Sequence, residues 1–173
     1  GNTDPTPANY GWTVDTTIGA PTLTGCPVSP NQSREATLSF SLGEPATFEC
    51  RLNSSGWASC TSPQTYTNLA DDAYTFGVRA TDPAGNVSSE TPCSWTVDAT
   101  PPETTITSPI FAVYNVDTIT IEFSSETAAT FQCALDGATW SDCASPKTYD
   151  YLADGLHTFA VRASDAAGNT DPT

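Results

Sequence analysis

Short runs of alternating apolar and polar residues, cut by turn residues, fill this chain. Leu38, Phe40 and Leu42 alternate along residues 36–42, and Phe48, Cys50 and Leu52 along 46–52 with Glu49 and Arg51 between them. Phe76, Val78 and Ala80 alternate along 74–81, and Cys93, Trp95 and Val97 along 92–98. A period of two puts successive side chains on opposite faces of a strand, so each run predicts a strand with one buried face. Shorter strands are expected near 21–26, around Trp57 and Cys60, and along 64–69. Between them stand turn sequences, Asn53-Ser-Ser-Gly56, Ala70-Asp-Asp72 and Asp82-Pro-Ala-Gly-Asn86. Gly, Asn and Asp serve there because they tolerate or cap tight backbone bends. Seven strands with regularly spaced turns, and no helical periodicity anywhere, predict an antiparallel β-sandwich.

The pattern occurs twice. Shifted by 83 residues (Trp95 against Trp12), the chain aligns on itself without a gap. Leu38 and Phe40 fall on Ile121 and Phe123; Phe48, Cys50, Trp57 and Cys60 fall on Phe131, Cys133, Trp140 and Cys143. Phe76, Val78, Arg79 and Ala80 fall on Phe159, Val161, Arg162 and Ala163, and Asp82, Gly85 and Asn86 on Asp165, Gly168 and Asn169. Internal repetition of this kind predicts tandem domains, here 18–100 and 101–173. They meet at Val97-Asp-Ala-Thr-Pro-Pro-Glu103, which the adjacent prolines hold extended and stiff.

Strand accounting adds a further expectation. The second repeat stops before any counterpart of 92–98, so it lacks its last strand within the chain. Residues 7–15 meanwhile carry Tyr10, Trp12 and Val14 at the positions of Cys93, Trp95 and Val97. Residues 1–17 therefore read as the last strand of a preceding or neighbouring domain. A sandwich without an edge strand exposes unpaired backbone groups and a slot for inward side chains. Two arrangements fill it. In a tandem array the strand is covalently continuous with the repeat it completes. In strand addition, residues 7–15 of one copy complete the second repeat of the next, a heterologous contact that does not close and so builds a filament. The hexapeptide Gly-Asn-Thr-Asp-Pro-Thr stands both at Gly1–Thr6 and at Gly168–Thr173. It favours the array, whose period of 167 residues (Gly168 against Gly1) accounts for it. A chain that starts in mid-repeat is expected to be internal to, or processed from, a longer precursor.

Charge narrows the possible roles. Twenty Asp and Glu stand against five Lys and Arg, a net charge of −15. Nucleic-acid binding needs a basic footprint that is missing here, and an anionic membrane surface would repel the chain. No stretch is long or apolar enough for a membrane-spanning helix, so no membrane insertion is expected. Six cysteines in a chain with one histidine argue against zinc and for disulfides in an oxidising, extracellular setting.

The combination Phe-x-Cys-x-Leu, Trp-x-x-Cys-x-Ser-Pro-x-Thr-Tyr, Leu-Ala-Asp, Thr-Phe-x-Val-Arg-Ala-x-Asp-x-Ala-Gly-Asn and Trp-Thr-Val-Asp resembles bacterial immunoglobulin-like repeats, which are similar to fibronectin type III domains. Tyr66 with Leu69, and Tyr149 with Leu152, occupy the place ahead of the penultimate strand that those domains give to Tyr and Leu. The resemblance implies an immunoglobulin-like fold for both sandwiches. It also implies a place in a large secreted or surface protein, as spacer, stalk, adhesin segment or fibre subunit.

Candidate chemistry is sparse. Cys50 with Cys60, and Cys133 with Cys143, read as hairpin staples worth about 2–4 kcal/mol each. Cys26 and Cys93 remain, bonded to each other across the first repeat or to another subunit; Tyr10 stands at the counterpart of Cys93. Asp82 with Asn86, and Asp165 with Asn169, joined by the linker acids Asp15, Asp98 and Glu103, offer hard oxygens for calcium. The same Asp-x-x-Gly-Asn sequence is good turn chemistry, and that is the preferred reading, so no cofactor is required. No His accompanies any Cys, the acids fall in turns and outward strand positions, and His157 reads as a solvent-facing turn residue. An enzyme is therefore not expected. Tyr114, Tyr149 and Tyr151 are candidates for a glycan surface, and Asn31, Asn53 and Asn86 stand in glycosylation acceptor sequences. The leading expectation is a structural unit that meets identical copies head to tail. The alternative is an adhesin or carbohydrate-binding module whose partner is a glycan or surface receptor.

Overall fold

The computed structural model describes residues 1, 6, 8–108 and 115–172. Among the described residues the regular elements are thirteen strands. In the first repeat they are β1 (Thr22–Thr24), β2 (Ala36–Ser41), β3 (Thr47–Leu52), β4 (Ala58–Cys60), β5 (Gln64–Tyr66), β6 (Asp72–Thr81) and β7 (Thr91–Val97). In the second they are β8 (Thr105–Ser108), β9 (Ile119–Ser124), β10 (Thr130–Leu135), β11 (Ser141–Cys143), β12 (Lys147–Tyr149) and β13 (Phe159–Ser164). The sheet orders are β1-β2-β5 and β4-β3-β6-β7, then β8-β9-β12 and β11-β10-β13. Neighbouring strands pair antiparallel, as in Cys50 opposite Val78 and Cys133 opposite Val161. In the first repeat this is the three-on-four strand order of an immunoglobulin-like, fibronectin type III-like sandwich; among the described residues the second repeat has the same order with three strands in each sheet. Among the described residues no helix is long and apolar enough to cross a membrane.

By spatial proximity the chain divides into two compact units. One is Gly1–Gly25, Leu38–Gln64 and Thr75–Cys93; the other is Cys26–Thr37, Thr65–Tyr74 and Ser94–Thr173. Strand pairing divides it differently: every sheet takes all its strands either from before Asp98 or from after Thr104.

Alternation builds the cores. In β2 the burial pattern sends Ala36, Leu38 and Phe40 inward while Thr37 and Ser41 face out. Phe40 meets Phe48 edge-on, with ring centroids at 5.1 Å, and Phe76 at 6.2 Å. In the second repeat Phe123 meets Phe131 at 5.0 Å and Phe159 at 5.9 Å, around Ile121, Cys133 and Val161. Each fully buried side chain such as Leu38, Phe76 or Val78 contributes about 1.5–3 kcal/mol by leaving water. Beside each core a serine closes a turn in the same way, Ser62 Oγ accepting from Phe40 N at 2.8 Å and Ser145 Oγ from Phe123 N at 2.9 Å.

Cys50 is bonded to Cys60 and Cys133 to Cys143, both with Cα atoms 5.8 Å apart. Each bond closes the hairpin that joins β3 to β4 or β10 to β11. Cys26 and Cys93 are disulfide-bonded as well, and no described cysteine is free. On the outer face of these sheets Arg79 lies over the Trp57 ring at 4.5 Å, and Arg162 over Trp140 at 4.5 Å. Such guanidinium stacking is worth about 0.5–1 kcal/mol at exposed sites, and it repeats from one sandwich to the other.

Candidate functional site

The last strand of the first repeat is buried on one face because it closes a sheet. Cys93, Trp95 and Val97 are 4%, 2% and 1% exposed. The Trp95 ring stacks on Tyr74 with centroids 5.6 Å apart. Residue 31 holds the end of β7 from its far side: Asn31 N donates to Thr96 O at 3.1 Å, and Asp98 N donates to Asn31 O at 2.9 Å. Tyr114, the counterpart of Asn31 and a candidate glycan contact, lies outside the described residues.

At the same repeat positions near the N-terminus, Tyr10, Trp12 and Val14 are 84%, 73% and 74% exposed. The Tyr10 and Trp12 rings stack on each other at 6.0 Å, and residues 8–21 form no strand within the chain. Pro7, the first residue expected in that strand, lies outside the described residues. Three large apolar side chains at strand spacing therefore stand in water where identical positions elsewhere in the chain are core.

The second repeat has the complementary feature. Whereas β7 covers the outer edge of β6, β13 ends its sheet among the described residues. β6 is ten residues long and β13 six, although both end at the same repeat position, Thr81 and Ser164. The four residues by which β13 is shorter, 155–158, are the counterparts of Asp72–Thr75. Ladder bonds on a second side are what fix such a stretch in strand geometry. At Ala163 the edge is capped: Asp171 N donates to Ala163 O at 2.9 Å, and Ala163 N donates to Thr104 Oγ1 at 3.0 Å. Ser88 does both for Ala80 in the first repeat, at 2.9 Å each. The open stretch is thus the part of the edge N-terminal to Ala163.

The Asp-x-x-Gly-Asn turns have a role beyond local geometry. Asp82 Oδ1 and Oδ2 accept from Asn86 N and Nδ2 at 2.8 Å each. Asp165 takes the same bonds from Asn169 at 2.9 and 2.8 Å. The asparagine amide then donates once more, to the carbonyl of the linker aspartate: Asn86 to Asp15 O at 3.2 Å and Asn169 to Asp98 O at 2.8 Å. Gly85 and Gly168 carry φ near +93° and +94°, the left-handed region where glycine is the natural residue. The bonds from Asn86, side chain first, hold the Asp82 carboxyl below the usual carboxylate range. Burial pushes Asp165 upward, and the bonds from Asn169 and the turn backbone outweigh it.

For calcium, the two turns differ. Both asparagines face their aspartates through N–H, as donors, which suits the turn and leaves the cation without their oxygens. Around Asp165 no such cluster of acids forms among the described residues, and Thr127 stands where Glu44 stands in the first repeat. Around Asp82, ligand oxygens of Asp15, Glu44 and Asp82 lie within 4.8 Å of one another. Glu44 escaped the sequence reading because it lies far along the chain from both partners.

His157 is another residue whose setting only the fold reveals. Its Nδ1 meets Asp136 Oδ2 at 2.7 Å and its Nε2 meets Ala153 O at 2.8 Å. In the first repeat Tyr74 donates its hydroxyl to Ala70 O at 3.1 Å, and Asn53 stands for Asp136. An ion pair thus stands where the first repeat carries the neutral side chains of Asn53 and Tyr74. The hydrogen bond to Asp136 raises the His157 pKa above its ordinary 6.5, and the same bond lowers Asp136 below its ordinary 3.8. By linkage the histidine's contribution to stability is complete below pH 6.5 and is lost as pH rises through its raised pKa. The aspartate's is complete above pH 3.8 and is lost as pH falls through its lowered pKa. Between these values both are present. Asp136→Asn with His157→Tyr, the residues of the first repeat, is expected to remove this pH dependence. Thermal melting from pH 4 to 9 checks it: the difference in melting temperature between wild type and variant should shrink above neutral pH, and a constant difference refutes the coupling.

An open depression of about 620 Å³ is lined by Ala129, Thr130, Phe131, Asp142, Cys143, Ala144 and Ser145. It holds one ionisable side chain, Asp142, which accepts from the Gln132 amide at 3.1 Å. Tyr149, a candidate glycan contact, packs on Phe159 at 6.0 Å.

No protein-family model and no curated protein matches the chain. Among solved structures it is similar to the fibronectin(III)-like modules of Clostridium thermocellum CbhA, at 19% identity and a TM-score of 0.47, covering 87% of this chain and 88% of that one. It is also similar to the FN1-FN3 domains of chicken CNTN1, at 12% identity and a TM-score of 0.37, over 88% of this chain and 64% of that one. An α-L-rhamnosidase of Streptomyces avermitilis matches at 15% identity and a TM-score of 0.33, over 87% of this chain and 22% of its own length.

Proposed function

We propose that this chain is the structural repeat unit of an extracellular filament or long surface stalk, in which copies follow one another head to tail. The strand of residues 7–15 completes the second repeat of the neighbouring copy, by strand addition between chains or within a longer tandem polypeptide. One observation carries the reading: Tyr10, Trp12 and Val14 are exposed at positions whose counterparts Cys93, Trp95 and Val97 are core, while among the described residues no strand pairs with the edge of β13 that would take them. In the completed repeat Trp12 takes the place of Trp95 and lies on His157, as Trp95 lies on Tyr74. The exit from the strand is already set for this role. Asp15 accepts Thr17 N on Oδ1 at 3.3 Å, and Asp98 accepts Thr100 N in the same way at 3.3 Å. Disulfide bonding of the cysteines supports an extracellular setting.

A fluorescein-labelled peptide of residues 7–17, titrated with the full chain, tests the proposal. Saturable binding is expected, lost when Trp12 and Val14 of the peptide are serine. Absence of binding up to roughly millimolar chain would refute strand completion. The competing reading, a carbohydrate-binding module, has the exposed Tyr10–Trp12 stack in its favour; soluble oligosaccharides that quench Trp12 fluorescence in the full chain would support it instead.

A further inference from the structure

We infer that His157 makes the strand slot of the second repeat pH-dependent: its imidazolium form receives the Trp12 indole of the neighbouring copy, so that copies join more tightly in mildly acidic than in alkaline solution. The inference rests on the head-to-tail reading and adds the regulation of that contact.

His157 lies within residues 155–158, the stretch of the β13 edge that has no partner strand among the described residues. Both of its ring nitrogens face acceptors, Nδ1 the Asp136 Oδ2 at 2.7 Å and Nε2 the Ala153 carbonyl at 2.8 Å. A neutral imidazole has one N–H, and its second nitrogen is itself an acceptor. Only the imidazolium donates to both oxygens. The carboxylate is fixed in place, since Asp136 Oδ1 accepts from Thr158 N and Asp136 N donates to Thr158 O, both at 2.7 Å. The ring is thus gripped at its edges, while its side chain is still 28% exposed.

The first repeat shows what covers this position. Tyr74, the counterpart of His157, donates to Ala70 O, the counterpart of Ala153, and its ring stacks on Trp95 with centroids 5.6 Å and planes 22° apart. Trp12 stands at the position of Trp95. Two other contacts of β7 have no counterpart at the junction between copies. Glu90 reaches across β6 to Arg51, whose Nε donates to Glu90 Oε1 at 3.0 Å, over Gly77, where a Cβ would strike the Glu90 side chain. Ala134 and Ala160 stand for Arg51 and Gly77, and Pro7 for Glu90. Cys93 is disulfide-bonded, and Tyr10 stands in its place. The residues for an ion pair and for a disulfide are therefore missing. The ring contact is kept, with a ring that titrates near neutrality in place of the phenol.

A cation on the face of an indole is attracted by the negative ring face, and the attraction grows as water is excluded. Burial opposes it by disfavouring the charged form. Here the imidazolium keeps both hydrogen bonds and loses water only from a face that makes none. The surrounding charges are Asp136 in contact, Asp154 next to Ala153, Asp117 and Asp150 on the adjoining loops, and Asp15 on the incoming strand. All are carboxylates, ionised above about pH 5, and they favour the cation. The cations of the second repeat, Lys147 and Arg162, lie over the Tyr149 and Trp140 rings. His157 is the chain's one histidine. The bond to Asp136 already raises its pKa above 6.5 in the free chain, and the indole would raise it further. By linkage the extra affinity is complete below the free chain's pKa and is lost as pH rises through that of the joined chain.

The peptide of residues 7–17, carrying a rhodamine whose signal is constant with pH, is titrated with the full chain at pH 5.5, 7 and 9 and one ionic strength. Wild type is expected to bind about fivefold to tenfold more tightly at pH 5.5 than at pH 9. His157→Tyr, the residue of the first repeat, is expected to bind with one affinity throughout. Asp136→Asn, which leaves the histidine in place, is expected to move the wild-type step to lower pH. Melting at each pH shows that every protein is folded. A wild-type affinity that is flat across the range, or a His157→Tyr chain with the wild-type step, overturns the pH dependence and leaves strand completion standing. Absence of binding at every pH removes the head-to-tail reading, and this inference with it.

Discussion

Trp12→Ser is expected to leave the free chain folded, with an unchanged melting temperature, and to abolish head-to-tail association. In the free chain the indole is exposed and touches the Tyr10 ring at 6.0 Å, so its removal costs the monomer little. On the proposed head-to-tail reading it would occupy the central core position of the added strand. Burying an aromatic side chain of this size contributes about 3 kcal/mol or more, over a hundredfold in affinity. Large buried aromatics dominate interfaces in this way, while the residues around them mainly exclude water. Sedimentation velocity over a concentration series, with circular dichroism melting of the same samples, reads both halves of the expectation. Association at wild-type concentrations would refute the role of the strand. A melting temperature lowered as a core substitution lowers it would show that Trp12 packs within its own chain.

Trp95→Ala, at the same repeat position, is expected to do the opposite. It should destabilise the folded chain by about 3–5 kcal/mol, the usual range for a buried aromatic truncated to alanine. Trp95 is 2% exposed and stacks on Tyr74. The loss comes from the cavity and the ring contact. Denaturant unfolding measures it, and a change below about 1 kcal/mol would mean that the site collapses around the smaller residue. Together the two substitutions give one residue type, at one place in the repeat, two outcomes set by whether a sheet stands behind it.

Much of the strand layout was legible in the residues. The alternation of Leu38 with Phe40 and of Phe76 with Val78 marked β2 and β6, because a sheet with one wet face imposes that period. The 83-residue offset transferred the assignment to β9 and β13. Lengths were less legible. The reading extended the strand before the Asp-x-x-Gly-Asn turn equally in both repeats, yet β13 begins at Phe159 while β6 begins at Asp72. A strand's length depends on its neighbour as well as on its own side chains.

The site residues divide along the same line. Tyr10, Trp12 and Val14 were found because their spacing copies that of Cys93, Trp95 and Val97. The bonds from Asn86 to Asp15 and from Asn169 to Asp98 span 71 residues, and no local pattern announces them. The Asp136–His157 pair had a signal that went unread. Asn53 and Tyr74 become Asp and His together, and paired differences between aligned repeats mark side chains that touch.

The sequence by itself determined the sandwich class, the duplication, the strand order in time and the cysteine-stapled hairpins, because period, turn chemistry and repeat offset are local or translational properties of a chain. Only the tertiary structure decided which copies of the repeated pattern are buried. Trp12 and Trp95 both open a Trp-Thr-Val-Asp segment, and burial depends on what stands across space from each. For Trp95 that is Tyr74 and the core of its own sandwich. For Trp12, within this chain, it is water.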